Sequence, residues 1–198
     1  VLNAHFNSIS ESLQATLIAM KQAPSACELM DKTILECTKD NISQQKNRFF
    51  VEGDPEAILM VEFRGDTIEE AKQQAQTLEL NLKKLDLGFA YPLVEGQDCD
   101  KVWELRKAGL GLLANIPGDA KAVACIEDTA VALKDLPLYI EAFTSLMKTY
   151  NQKAVYYAHA GAGELHLRPV LNLKSSKDVA LFRSISEASS VYVFQIGF

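Results

Sequence analysis

Between Ala154 and Leu171, two short runs rich in Val, Tyr and Leu (154–159 and 165–171) are joined by only AGAGE, residues 160–164. Segments linked through so short a glycine-bearing turn lie side by side and antiparallel, because a parallel crossover needs a dozen or more residues. This hairpin sets the kind of sheet the rest of the chain must join. Runs of similar composition predict further strands over Leu2–Phe6, Ala57–Phe63, Phe89–Val94 and Val123–Val131.

Helical spacing predicts helices over Ser10–Gln22, Glu28–Asn41, Thr67–Leu85, Cys99–Leu113, Leu136–Tyr150 and Lys177–Glu187. In the third of these, Ile68, Ala71, Ala75, Leu78, Leu82 and Leu85 form one apolar face. Thr67 stands as its N-cap before Glu69 and Glu70, where the helix dipole favours acids, and Gly88 is the expected C-cap. Ser176 and Asp178 open the last helix.

Adjacent strands joined by short turns favour an α+β fold, a ferredoxin-like antiparallel sheet with helices packed on one face, over a doubly wound sheet. Residues 1–187 read as one domain. Residues 188–198 form an apolar end (Val191, Tyr192, Val193, Phe194, Ile196, Phe198), read either as a final edge strand or as a cut or altered terminus.

The net charge of −6 argues against nucleic acid or an anionic membrane as the main partner, so any anion site must be a local cluster of cations. No apolar run approaches the roughly 20 residues of a transmembrane segment. The four cysteines (27, 37, 99, 125) have no C-x-x-C spacing, which suits reduced thiols and a cytoplasmic setting and gives no iron–sulfur or zinc-finger signature. The start, VLNAHF, has no signal-peptide pattern and no initiator Met, as expected of an excised piece.

Three segments carry candidate chemistry. In YYAHAGAGELHLRP (156–169), His159 and His166 flank the glycine turn, so both can point to one side of the sheet. Paired neutral imidazoles suit Zn²⁺ and similar ions once a carboxylate joins them. The same pattern also fits two half-buried histidines with ordinary hydrogen-bond partners. In KVWELRKAGLGLL (101–113), Arg106 offers a planar fork for a carboxylate, whereas Lys107 reads as solvated. In NIPGDAKAVACIEDTAVAL (115–133), a Pro-Gly turn leads through Lys121 to a strand holding Glu127 and Asp128, read as wet-face acids before functional ones. VEGDPEAILMVEF (51–63) reads as a turn feeding a structural strand. No G-x-G-x-x-G, Walker loop or G-x-S-x-G elbow is present.

Together these segments resemble the C-terminal domain of FAD-linked oxidases, a family that includes D-lactate dehydrogenases, the glycolate oxidase flavin subunit and D-2-hydroxyglutarate dehydrogenases. ELMD (28–31), VEGDPEAILMVEF, VWELRKAGLGLL, NIPGDAKAVACIEDTAVALKDLP and YAHAGAGELHLRP follow in the family's order. GLLANIPGDAK is most similar to long bacterial members, whose extra iron–sulfur module would belong to the parent protein and not to this chain.

The resemblance implies a domain that closes over FAD held mainly by a separate FAD-binding domain, and a small 2-hydroxy acid as substrate. It assigns the substrate carboxylate to Arg106, with Lys121 as a second contact, and a divalent metal, zinc before others, to His159 and His166. It assigns no cofactor-binding residue, and a membrane-peripheral location only through the parent enzyme. The motif's usual Asp and Asn are replaced here by Ala162 and Glu164. The family's following S-G-E-H-G, source of a metal-binding Glu and the proton-abstracting His, is replaced by SISEASSVYVFQIGF. The chain is therefore expected to hold no catalytic base and to be inactive alone. A stand-alone binding or assembly subunit for a flavoprotein partner is the competing reading, and a metal hydrolase a distant third.

Overall fold

The computed structural model describes residues 1–197, with side chains through Val193. The elements run β1 (Leu2–Phe6), α1 (Ile9–Ala19), β2 (Ala26–Asp31), α2 (Lys32–Lys39), α3 (Ile42–Gln45), β3 (Ala57–Glu62), α4 (Ile68–Lys84), α5 (Asp98–Leu112), β4 (Lys121–Ala122), β5 (Ile126–Ala130), α6 (Leu136–Thr149), β6 (Ala154–His159), β7 (Glu164–Leu171) and α7 (Ser176–Gly197). The strands form one sheet in the order β1-β3-β2-β6-β7, and β7 carries β4 and β5 at different points along its outer edge. Every pairing is antiparallel, as an α+β fold built on the 154–171 hairpin requires.

The sheet is apolar on both faces at its β3 end. Alternate residues of β3 turn opposite ways: Ala57, Leu59 and Val61 join one core, Ile58 and Met60 the other. The larger core lies under α1, α4, α6 and α7, with Leu13, Leu78, Tyr139, Phe143 and Ile185 fully buried. The expected one-faced layering therefore gains a second layer. Helices α2 and α5 cover the other face through Ile34, Leu35, Val102 and Leu105, because a strand reading AILMV cannot leave either side in water.

Other boundaries differ from expectation for identifiable reasons. Strand β2 falls partly where a helix was expected to start, and Asp31 at its end caps α2 by accepting from the Ile34 N–H at 3.0 Å. The 89–94 segment is no strand. It contributes only isolated bridges at Leu93 and Ala90 along β1, and Pro92 has no N–H with which to complete a ladder. Thr67 caps α4 as expected, accepting from the Glu70 N–H at 3.2 Å. The left-handed residue closing that helix is Asp86 (φ 55°), not Gly88, which instead lets the chain pass close to the His5 carbonyl. The apolar end continues α7 as helix through Gly197, with Tyr192 and Val193 packed on the larger core; Phe198 lies outside the described residues.

Two contacts tie the hairpin in place. Asp31 Oδ2 accepts from the Tyr156 N–H at 2.8 Å, joining β2 to β6 where their paired register ends. Gly163 sits at φ +70° in the turn, and its carbonyl accepts from the Val131 N–H at 3.1 Å. A Cβ there would lie 2.2 Å from the Val131 carbonyl oxygen.

Two outcomes are expected. Gly163→Ala combines left-handed strain with a backbone clash and should lower unfolding stability by about 2–4 kcal/mol, read by urea titration. Burial pushes the Asp31 carboxyl up to about 7 although backbone N–H groups pull it down. A raised carboxyl stabilises the fold fully below its unfolded value of 3.8, and that contribution is lost as pH climbs through about 7. Wild type should therefore lose stability relative to Asp31→Asn between pH 4 and 7.5. A difference that stays flat over this interval would contradict the assignment.

Candidate functional site

Away from the β3 end, the face covered by α2 and α5 changes character. Along β7, Leu165, Leu167 and Leu171 enter the large core, so Glu164, His166 and Arg168 turn the other way, toward α5. In β6, Ala158 enters the core, and Tyr157 and His159 share the opposite face. Register then sets the neighbours: Tyr157 stands opposite His166, His159 opposite Glu164, and Glu28 of β2 lies one step past the Leu29–Ala158 pair. The result is a row of carboxylate, imidazole and carboxylate across three strands, with His166 in the next row.

The histidine rings lie edge to face, 5.3 Å between centroids. His159 is half exposed; His166 is nearly buried. A ligating atom of His159, one of Glu164 and one of His166 all lie within 4.8 Å of one another. The Glu28 carboxylate stands against His159 Nδ1, with its two oxygens at 3.1 and 3.0 Å. His166 Nδ1 lies 3.1 Å from Glu127 Oε2 and 3.2 Å from Asp128 Oδ1, though among the described residues it has no aligned hydrogen bond. Both acids reach it because β5 slips register between Ile126 and Thr129, with Asp128 at φ 54°. Arg168 grips Glu127 in a bidentate pair at 2.7 and 3.0 Å.

Arg106 reaches this row from α5. Its guanidinium lies over the Tyr157 ring, 4.2 Å from the centroid, and donates to the Tyr157 hydroxyl, to Glu28 and to the Ala158 carbonyl (3.3 Å). Its Nε–H is buried and has no partner among the described residues. Burial pushes the Tyr157 phenol above its ordinary value, while the charge of Arg106 pulls it down. Gly109, one turn further along α5, presses against Ile34 of α2, where even a Cβ would fall 2.4 Å from the Ile34 side chain; this close approach holds α5 down on the sheet.

Of the residues expected to act together, Arg106, His159 and His166 are brought to one place. Lys121 is not. It pairs with Leu171, five residues along β7 from His166, or about 17 Å at strand rise, and its ammonium donates to the Ile116 carbonyl at 2.5 Å. Sequence reasoning missed Glu28, which it placed at the start of a helix, and Tyr157. It read Glu127 and Asp128 as wet-face acids; Asp128 is largely exposed as expected, and both carboxylates also stand against His166.

The arrangement fits a divalent cation. Two imidazoles and a carboxylate converge, further carboxylates stand behind the rings, and buried His166 Nδ1 lacks an aligned partner. No helix among the described residues is long and apolar enough to cross a membrane.

The chain is 31% identical over 204 residues to a D-2-hydroxyglutarate dehydrogenase of Pseudomonas putida, and 28% identical over 208 residues to one of Haemophilus influenzae. Each alignment covers 100% of this chain and 20% of the relative, so the chain spans about a fifth of the length of the curated relatives it matches. Among solved structures its fold is similar to 4-ethylphenol oxidase from Gulosibacter chungangensis, with TM-score 0.52 and 11% identity over 93% of this chain and 42% of that one. It is similar also to alkyldihydroxyacetonephosphate synthase, with TM-score 0.50 and 12% identity over 98% of this chain and 40% of that one. The family model described as FAD linked oxidases, C-terminal domain, matches residues 1–197, and the chain belongs to that family, as the order of its motifs indicated.

Proposed function

We propose that this domain binds substrate and metal for a flavin-dependent dehydrogenase that oxidises a D-2-hydroxy acid, D-2-hydroxyglutarate before D-lactate or glycolate. The convergence of His159, Glu164 and His166 beside a buried arginine carries this reading. The D-2-hydroxyglutarate dehydrogenase relatives narrow the substrate class.

The three convergent residues hold the cation. When bound, the metal supplies Lewis-acid polarisation of the substrate hydroxyl, and FAD, held by a separate domain, accepts the electrons. Arg106 receives the carboxylate next to that hydroxyl. Its unpartnered Nε–H is the free donor, and the stack on Tyr157 keeps the guanidinium from following the ligand outward. Lys121, held on the Ile116 carbonyl, has no part in this reading. The reading gives the proton-abstracting base to none of the described residues and the electron acceptor to a separate flavin-bearing domain, and on it the domain is inactive alone.

The test is anaerobic mixing of the intact flavoprotein with D-2-hydroxyglutarate, D-lactate and glycolate while flavin absorbance is followed. Bleaching by at least one of them is expected, and chelation or His166→Ala should abolish it. Arg106→Ala should lower kcat/KM about 10- to 100-fold, the loss of one or two charge-assisted hydrogen bonds. Absence of bleaching with all three acids, or bleaching indifferent to chelation and to His166→Ala, would overturn the reading.

A further inference from the structure

Each imidazole of the pair has an arginine-held carboxylate near its Nδ1, but only at His159 is the contact an aligned hydrogen bond. Arg106 donates to Glu28, whose oxygens lie 3.0 and 3.1 Å from His159 Nδ1. Arg168 grips Glu127, whose Oε2 lies 3.1 Å from His166 Nδ1. The two sets come from different parts of the chain. Glu28 is on β2 and Arg106 on α5, whereas Glu127 is on β5 and Arg168 on β7.

A carboxylate already held by a guanidinium has only acceptor oxygens to offer. At His159 the two Glu28 oxygens stand nearer to Nδ1 than the Arg106 Nη2 donor does (3.5 Å), so Nδ1 supplies the proton to the carboxylate and Nε2 keeps its lone pair. The first set is the better formed. His159 is half exposed and would otherwise be free to rotate or change tautomer, whereas Glu28 is nearly buried and fixed from behind. In the second set the His166 ring is held by burial, and its Nδ1 is near Glu127 without alignment.

We infer that Glu28 is a positioning residue: clamped by Arg106, it holds His159 as the Nδ1–H tautomer and leaves Nε2 for the metal. The inference rests on the metal-binding reading above. Under it Arg106 has two duties, since the guanidinium that receives the substrate also fixes the carboxylate behind a metal ligand. The effect of removing Glu28 therefore falls on metal affinity, which can be read without turnover.

The test uses the intact protein and Zn²⁺ alone, with affinity measured by competition against a chromophoric chelator. Glu28→Gln keeps the volume and removes the charge. It should weaken Zn²⁺ binding about 10- to 100-fold, in the range for loss of an outer partner to a ligand histidine, with circular dichroism unchanged. In a crystal structure of the zinc-loaded wild type, Nε2 of His159 should face the ion. Zn²⁺ affinity of Glu28→Gln within about twofold of wild type would sink the inference, given the 10-fold minimum expected for such a partner. So would a zinc ion on His159 Nδ1, which decides the matter even where the variant fails to fold. If His159→Ala abolishes binding while Glu28→Gln leaves it intact, only the positioning role falls. If wild type takes up no Zn²⁺ at all, the metal-binding reading falls and takes this inference with it.

Discussion

Arg106 brings a guanidinium to a position only 8% exposed, between α5 and the sheet, and Glu28 makes that position tenable. An unpaired charge at such a site costs several kcal/mol, more than one buried aliphatic side chain returns. The Glu28 carboxylate, the Tyr157 hydroxyl and the Ala158 carbonyl share the offset, and all three come from β2 and β6. The same contacts settle where α5 lies. The helix is held at one point by Gly109 against Ile34 and one turn away by Arg106 against the strand row. Its polar anchor and its apolar anchor thus converge on the boundary between the covered and open parts of one sheet face.

Much of the fold was legible because local patterns and long-range pairing agree. The 154–171 hairpin declares itself through two β-rich runs and a glycine turn, and β1, β3 and most of the helices follow from composition and periodicity. Strand β2 was not legible for a specific reason. Its ACELMD run places Glu28 and Asp31 among apolar residues and leads directly into α2, so the join between strand and helix is masked by a residue that ends one and caps the other. Pro92 defeats the 89–94 strand in a way composition alone does not weigh. The second helical layer is written in the continuous AILMV of β3, which has no polar alternation and so announces two buried faces.

The site was legible where chemistry and local geometry coincide, as in two histidines about a tight turn. Arg106 was reached through the family resemblance, since nothing in the spacing of VWELRK separates it from the solvated Lys107. Glu28 lies 131 positions from His159, and only the β2–β6 register brings them together. Glu127 and Asp128 were read as wet-face acids because acids within a strand ordinarily sit on its wet face or at its end. Asp128 does stay in water, yet the register slip and its left-handed backbone bring both acids within reach of His166.

The charge balance of this face bears on how a dicarboxylate could reach it. Among the described residues in contact with the histidines or with their carboxylates, Glu28, Glu127, Asp128 and Glu164 stand against Arg106 and Arg168, so with neutral imidazoles this inner cluster carries a net −2. A dianion approaching that surface is repelled, and the repulsion is strongest near the buried, low-dielectric end beneath α5. A divalent cation held by His159, Glu164 and His166, as proposed, would bring the balance to zero and leave the unpartnered Arg106 Nε–H usable by an incoming carboxylate. On the proposed reading, the acids around the histidines therefore impose an order: cation first, hydroxy acid second.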